Sequence, residues 1–178
     1  MAASKFSTTH LFSEEFVESA GTIIFRLSTQ EICLIHHREV GEWLLPKGRR
    51  NRGESRQSAA LREAWEETGY TCRLLPVTVM TRCPPSVEEG ECPDEPRQYP
   101  DAVEPIAVTS RRLGASNVKF IWWYIVSVDE LVERAKEVHA GDEKFDATFF
   151  SYATAVENLT YEEDKALLRK AVELVSAT

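Results

Sequence analysis

Seven consecutive apolar residues, Phe120 to Val126, stand within the segment NVKFIWWYIV at positions 117–126. A strand with one face in water alternates polar and apolar residues. This run does not alternate, so it suits a central strand covered on both faces. A chain with such a strand needs a layer on each side of its sheet. Two helical patterns supply those layers. Ser55 can cap a helix running to Thr68, with Gly69 as its stop. Near the end of the chain, Thr160-Tyr161-Glu162-Glu163 reads as a capping box. It precedes a helix whose buried face is Leu167, Leu168, Ala171, Val172, Leu174 and Val175. Further strands are expected at 17–27 and 31–37, in a short apolar piece of 41–45 ended by Pro46, at 70–79 and at 145–150, with a short helix at 129–138. The 178 residues fit one domain. The expected class is α/β, a helix-sheet-helix sandwich with a mixed central sheet. Residues 81–105, polar and rich in Pro and Glu, read as a long acidic insert, either a lid or a solvated loop.

Composition removes several function classes. No apolar run approaches 18 residues, so no membrane span is expected. The first residues lack a basic start followed by an apolar core, so the cytosol, or also the nucleus, is the expected compartment, with secretion of a processed form as the alternative. Cys33, Cys72, Cys83 and Cys92 form no CxxC pair and read as reduced thiols. Net charge is -8, which disfavours DNA as a partner. Against that background Lys47, Arg49, Arg50, Arg52 and Arg56 crowd into ten residues.

The segment that follows carries the chemistry. On a helix from Ser55 to Thr68, Leu61, Ala64, Trp65 and Thr68 fall on one stripe facing the core. Glu63, Glu66 and Glu67 fall together on the opposite side. Three neighbouring carboxylates repel one another unless a hard cation sits among them, and oxygen ligands suit Mg²⁺. Glu54 and Arg62 are spaced to pair and brace the loop against the helix. Gly48, Glu54 six residues on, and then Arg62-Glu63-Ala64-Trp65-Glu66-Glu67-Thr68-Gly69-Tyr70 together resemble the signature of the Nudix hydrolase family. Ala64 and Tyr70 are its two mild departures.

The resemblance implies a Nudix fold and hydrolysis of a diphosphate linked to a further group. It implies Mg²⁺ or Mn²⁺ held by Glu63, Glu66, Glu67 and the carbonyl of Gly48. It makes Glu63 or Glu66 the general base, with Glu143 as a candidate outside the motif. Intact ligand positions argue against a non-catalytic metabolite sensor of the same fold.

Substrate choice rests on residues around the motif. Arg38, Lys47, Arg49, Arg50 and Arg52 are the candidate substrate contacts, because guanidinium and ammonium groups match phosphate oxygens. Their density points to an anionic, highly phosphorylated small molecule. Leu45-Pro46-Lys47-Gly48 with Gly53-Glu54 resembles the diphosphoinositol polyphosphate phosphohydrolases and the diadenosine polyphosphate hydrolases. The first is favoured, since a dinucleotide needs an aromatic clamp; Trp43, Tyr99 and Trp123 are the candidates for one. ADP-ribose hydrolysis and mRNA decapping are the remaining alternatives.

Overall fold

The computed structural model describes residues 5–85, 92–135 and 144–178. Its elements run β1 (Phe16–Arg26), β2 (Glu31–His37), β3 (Glu42–Leu44), β4 (Lys47–Arg49), α1 (Arg56–Thr68), β5 (Cys72–Leu74), β6 (Val77–Thr81), β7 (Arg97–Ala102), β8 (Ala107–Leu113), β9 (Asn117–Val128), β10 (Phe145–Ser151), α2 (Tyr152–Asn158) and α3 (Glu162–Ser176).

The apolar run lies in β9, which is central. It pairs in parallel with β1 over ten residues, from Phe16↔Val118 to Phe25↔Ser127, and antiparallel with β8 and β5 on its other edge. Antiparallel pairs of β1 with β2 and β4, of β2 with β3, and of β10 with β2 complete a mixed sheet. Alternate residues of β1 and β9 feed two cores. Ile23, Phe25, Ile121, Trp123 and Ile125 pack beneath Ala155 of α2 and Leu168 and Ala171 of α3. Ala20, Ile24, Tyr124, Val126 and Val128 pack against α1. The fold is the expected helix-sheet-helix sandwich.

Helix α1 begins and ends where the sequence indicates. The Ser55 hydroxyl accepts from the Ser58 N–H, and Gly69 adopts the left-handed conformation (φ 74°) that lets its N–H reach the Trp65 carbonyl. Its buried face differs from the expected stripe. Ala59, Ala60, Ala64 and Thr68 are buried, while Leu61 and Trp65 remain partly exposed. Small residues let the helix lie close to the sheet, and the larger ones flank that contact.

Four other expectations need correction. Residues 81–105 are not one loop: β7 forms there and pairs with β6 as a separate two-stranded ribbon. Strand β8, between that ribbon and β9, escaped notice because its alternation is mostly polar and its side chains are half-exposed or exposed. The stretch 129–135 is turn and irregular backbone rather than helix, and the remainder of that expected helix lies outside the described residues. The capping box does not form. Tyr161 is the N-cap of α3 without a side-chain cap bond, and the Thr160 hydroxyl instead accepts from the Trp43 N–H at 2.9 Å. With the Thr160 N–H donating to the Trp43 carbonyl, this anchors the start of α3 to β3.

Candidate active site

Two features join the carboxylate helix to the sheet. Strand β4 pairs antiparallel with β1 in the register Gly21↔Lys47, Ala20↔Gly48 and Ser19↔Arg49. A Cβ at position 48 would lie 1.8 Å from Glu63 Oε2, so any side chain there would push the Glu63 carboxylate aside. Glycine at 48 is therefore what allows the Glu63 carboxylate to rest against the β4 backbone.

The same register corrects the expected role of the Gly48 carbonyl. The Thr22 N–H donates to the Pro46 carbonyl and the Arg50 N–H donates to the Glu18 carbonyl. Antiparallel ladders alternate, so the Ala20↔Gly48 pair between these two also points its polar groups inward. The Gly48 carbonyl thus faces β1, away from the glutamates. The peptide groups of Lys47 and Arg49 face outward instead. The Lys47 N–H donates to Glu67 Oε2 at 2.8 Å, and the Arg49 carbonyl accepts from Arg62 at 2.9 Å. The carbonyl on the glutamate side, adjacent to the missing Cβ, belongs to Lys47.

Arg62 organises the carboxylates. Its Nε and Nη2 hold both oxygens of Glu54 at 2.9 and 3.0 Å, and its Nη1 reaches Glu63 at 2.6 Å and Glu66 at 2.8 Å. Glu54 raises the guanidinium pKa most, against a smaller opposing effect of burial. Burial pushes the Glu63 carboxyl up, Arg62 opposes it, and the charges of Glu66 and Glu54 add to the rise. Among the described residues, no three His, Cys, Asp or Glu side chains already stand in metal-ligand geometry. The donor set nevertheless suits a hard divalent cation. Glu63, Glu66 and Glu67 lie on adjacent turns beside an outward carbonyl, and burial of Glu63 holds its carboxyl up despite Arg62.

The basic residues separate into two groups. Arg50 is tied down: it pairs with Glu18 at 2.8 Å and donates to the Glu54 carbonyl at 2.8 Å. Arg56 pairs with the other Glu18 oxygen and lies 3.9 Å over the Trp122 ring. Trp122 Nε1 donates to Glu18 as well, at 3.1 Å. Glu18, a residue that the sequence reading passed over, is therefore the counter-charge for two of the five clustered cations. Burial raises its pKa, but the bonds from Arg56 and Arg50 outweigh that and hold it below the usual carboxylate value. Arg38 is bound to Asp146 of β10. Lys47, Arg49 and Arg52 make no ion pair among the described residues. Glu143 lies outside the described residues.

Of the aromatic candidates, Trp123 is buried in the core. Trp43 is packed between the His36 ring, 4.7 Å away, and the edge of Phe150. Tyr99 lies on the β6–β7 ribbon. All four cysteines are free thiols, and burial pushes Cys33 and Cys72 up to about 12.

The fold and this site define a protein of the Nudix class. The NUDIX domain family model matches residues 16–171, and the chain belongs to that family. It is 36% identical over 73 residues to an 8-oxo-(d)GTP phosphatase of Mycolicibacterium smegmatis, covering 35% of this chain and 23% of that protein. It is 42% identical over 59 residues to a putative 8-oxo-dGTP diphosphatase of Bacillus subtilis, covering 33% of this chain and 39% of that protein. The chain thus spans well under half the length of these curated relatives. Among solved structures, an Ap4A hydrolase binary complex from C. elegans superposes with a TM-score of 0.62 at 17% identity, covering 91% of this chain and 99% of that one. A NUDIX hydrolase from Nitrosomonas europaea gives 0.55 at 15% identity, over 90% and 88% of the two chains. These structural likenesses establish the fold. The two curated relatives and the C. elegans structure carry nucleotide-directed names, not the diphosphoinositol polyphosphate group that the sequence favours first.

Proposed function

We propose that the chain is a Mg²⁺- or Mn²⁺-dependent pyrophosphohydrolase that cleaves a diphosphate linkage in a highly phosphorylated small molecule. The observation that carries this reading is the seating of Glu63 against Gly48, with Glu66 and Glu67 one turn along and the Lys47 backbone facing them. Glu63, Glu66, Glu67 and the Lys47 carbonyl would hold the cation. Bound there, it supplies neutralisation of phosphate charge and acidification of a water. Glu63 or Glu66 accepts the proton of the attacking water. Arg62 keeps those two carboxylates oriented, and Glu54 keeps Arg62 in place.

Lys47 and Arg49 are the cations near the motif that remain for substrate phosphates, with Arg52 at the loop tip. Arg50 serves the loop itself. An inositol pyrophosphate needs only cations of this kind and is the preferred substrate. A dinucleoside polyphosphate is the second reading, supported by the tilted Trp43–His36 ring pair on β3 and β2, with two residues separating β3 from β4.

The test is a screen of Mg²⁺-dependent phosphate or nucleotide release. It compares diphosphoinositol polyphosphates, diadenosine polyphosphates, 8-oxo-dGTP, ADP-ribose and capped RNA. Turnover of a diphosphoinositol polyphosphate at the highest kcat/KM is expected. A higher kcat/KM on a dinucleoside polyphosphate would select the second reading, and no turnover of any phosphoanhydride would overturn both.

A further inference from the structure

Strands β4, β1, β9 and β8 lie side by side in that order, and their register brings together cations that are far apart in sequence. Directly paired residues present their side chains on the same face of a sheet. Lys47 pairs with Gly21 and Arg49 with Ser19, at odd-numbered positions of β1 whose face carries Ile23 and Phe25 beneath α2 and α3. Lys119 is two residues before Ile121 and four before Trp123, on that same face of β9. Arg111 is the direct partner of Lys119. Two residues earlier on β8, the Thr109 hydroxyl accepts from Trp123 Nε1 at 2.9 Å, which fixes the orientation of that strand.

Two like charges directly opposite each other across a pair of strands are destabilising. Arg111 and Lys119 are such a pair, and neither makes an ion pair among the described residues; nor do Lys47 and Arg49. The four sense one another: burial first, then the charges of Lys47, Arg111 and Arg49, depress the Lys119 pKa. A carboxylate lies within the field of two of them, Lys47 and Arg111. Asp164, in the first turn of α3, is pushed up by burial and pulled down by Lys47 and Arg111. The Thr160–Trp43 bonds and the Tyr161–Glu42 bond at 2.7 Å hold that turn in place. These cations thus cluster without an ion pair among the described residues, in a chain whose net charge is -8.

We propose that Arg111, with Lys119 opposite it, extends the Lys47–Arg49 surface into a platform for several phosphates, and that Asp164 is its resident counter-charge. From β4 to β8 is three strand spacings, about 14 Å. Cations spread over that width fit a row or ring of phosphates better than a single one. The platform gives the polyphosphorylated-substrate reading above its structural basis for specificity and rests on that reading for its biological ligand.

The experiment titrates inorganic tripolyphosphate into the full chain by calorimetry in EDTA, which takes hydrolysis out of the measurement. Wild type is expected to bind, with affinity falling steeply as salt rises. Arg111→Ala and Lys119→Ala are each expected to weaken binding about tenfold, and Asp164→Asn to strengthen it. Arg112→Ala, the neighbouring position on the other face of β8, is the control and is expected to bind as wild type. Circular dichroism verifies folding of each variant. Absence of wild-type binding, or wild-type affinity in folded Arg111→Ala, overturns the platform. Loss of binding in Arg111→Ala, with no hydrolysis of any phosphoanhydride by wild type, sustains the platform and overturns the enzymatic reading. Hydrolysis by wild type whose KM is unmoved in Arg111→Ala does the reverse.

Discussion

The two faces of the sheet treat positive charge in opposite ways. On the α1 face, Arg50, Arg56 and Arg62 are each matched by acids: Arg50 and Arg56 share Glu18, and Arg62 is shared by Glu54, Glu63 and Glu66. On the α3 face, Lys47, Arg49, Arg111 and Lys119 make no ion pair among the described residues, and Asp164 senses Lys47 and Arg111. Arginine density in the sequence is thus a poor measure of ligand-binding charge. Matched cations fix the loop that carries the carboxylates; unmatched ones are left with charge to offer a ligand.

The contrast can be broken most forcefully at the carboxylates. Replacing Glu66 and Glu67 together by Gln is expected to lower kcat by about 10²–10⁴-fold. Thermal unfolding should be little changed. Full activity in that double variant would remove the cation assignment. Gly48→Ala comes next. A methyl group 1.8 Å from Glu63 Oε2 must displace that carboxylate or the β4 backbone. The atoms in the way are the end of the flexible Glu63 side chain, so stability should change little while kcat falls; wild-type kinetics would show that Glu63 need not rest where it does.

Arg62→Met removes the common partner of three partly buried acids and is expected to cost about 2–3 kcal/mol in denaturant unfolding. A loss below 0.5 kcal/mol would mean the acids find other partners.

Glu18→Gln should cost about 1–2 kcal/mol at neutral pH. The Glu18 pKa is lowered in the fold, so the unfolded chain takes up its proton first as pH falls. Its contribution is complete above the ordinary glutamate value of 4.5 and is lost as pH drops through the depressed folded value. The stability difference between wild type and Glu18→Gln should therefore shrink as pH falls below 4.5. A constant difference across that range would show that Glu18 acts by packing rather than charge.

Much of the fold was legible because it is local. Ser55 and Gly69 delimit α1 by their own backbone chemistry, and the unbroken apolar run of β9 demands cover on both faces whatever its neighbours are. The misses were of two physical kinds. Strand β4 spans three residues, and β8 alternates among mostly polar side chains, so each becomes a strand through its partner rather than its own pattern. The capping box failed because Thr160 has a tertiary alternative in the Trp43 N–H, and a cap bond is weak enough to be exchanged for it.

The same division applies to the site. The motif by itself determined which residues form the carboxylate helix, since helical periodicity alone places Glu63, Glu66 and Glu67 on adjacent turns. It also determined that Glu54 and Arg62 have the spacing to pair. Tertiary structure decided which backbone carbonyl faces those glutamates, because ladder alternation in β4 is set by its register on β1. It decided that Arg50 and Arg56 belong to Glu18, which lies more than thirty residues earlier in the chain. It also assembled Lys47, Arg49, Arg111 and Lys119 from three separate strands. Charge acts through distance in space, and the parallel β1–β9 pairing that sets those distances leaves no local mark on the sequence.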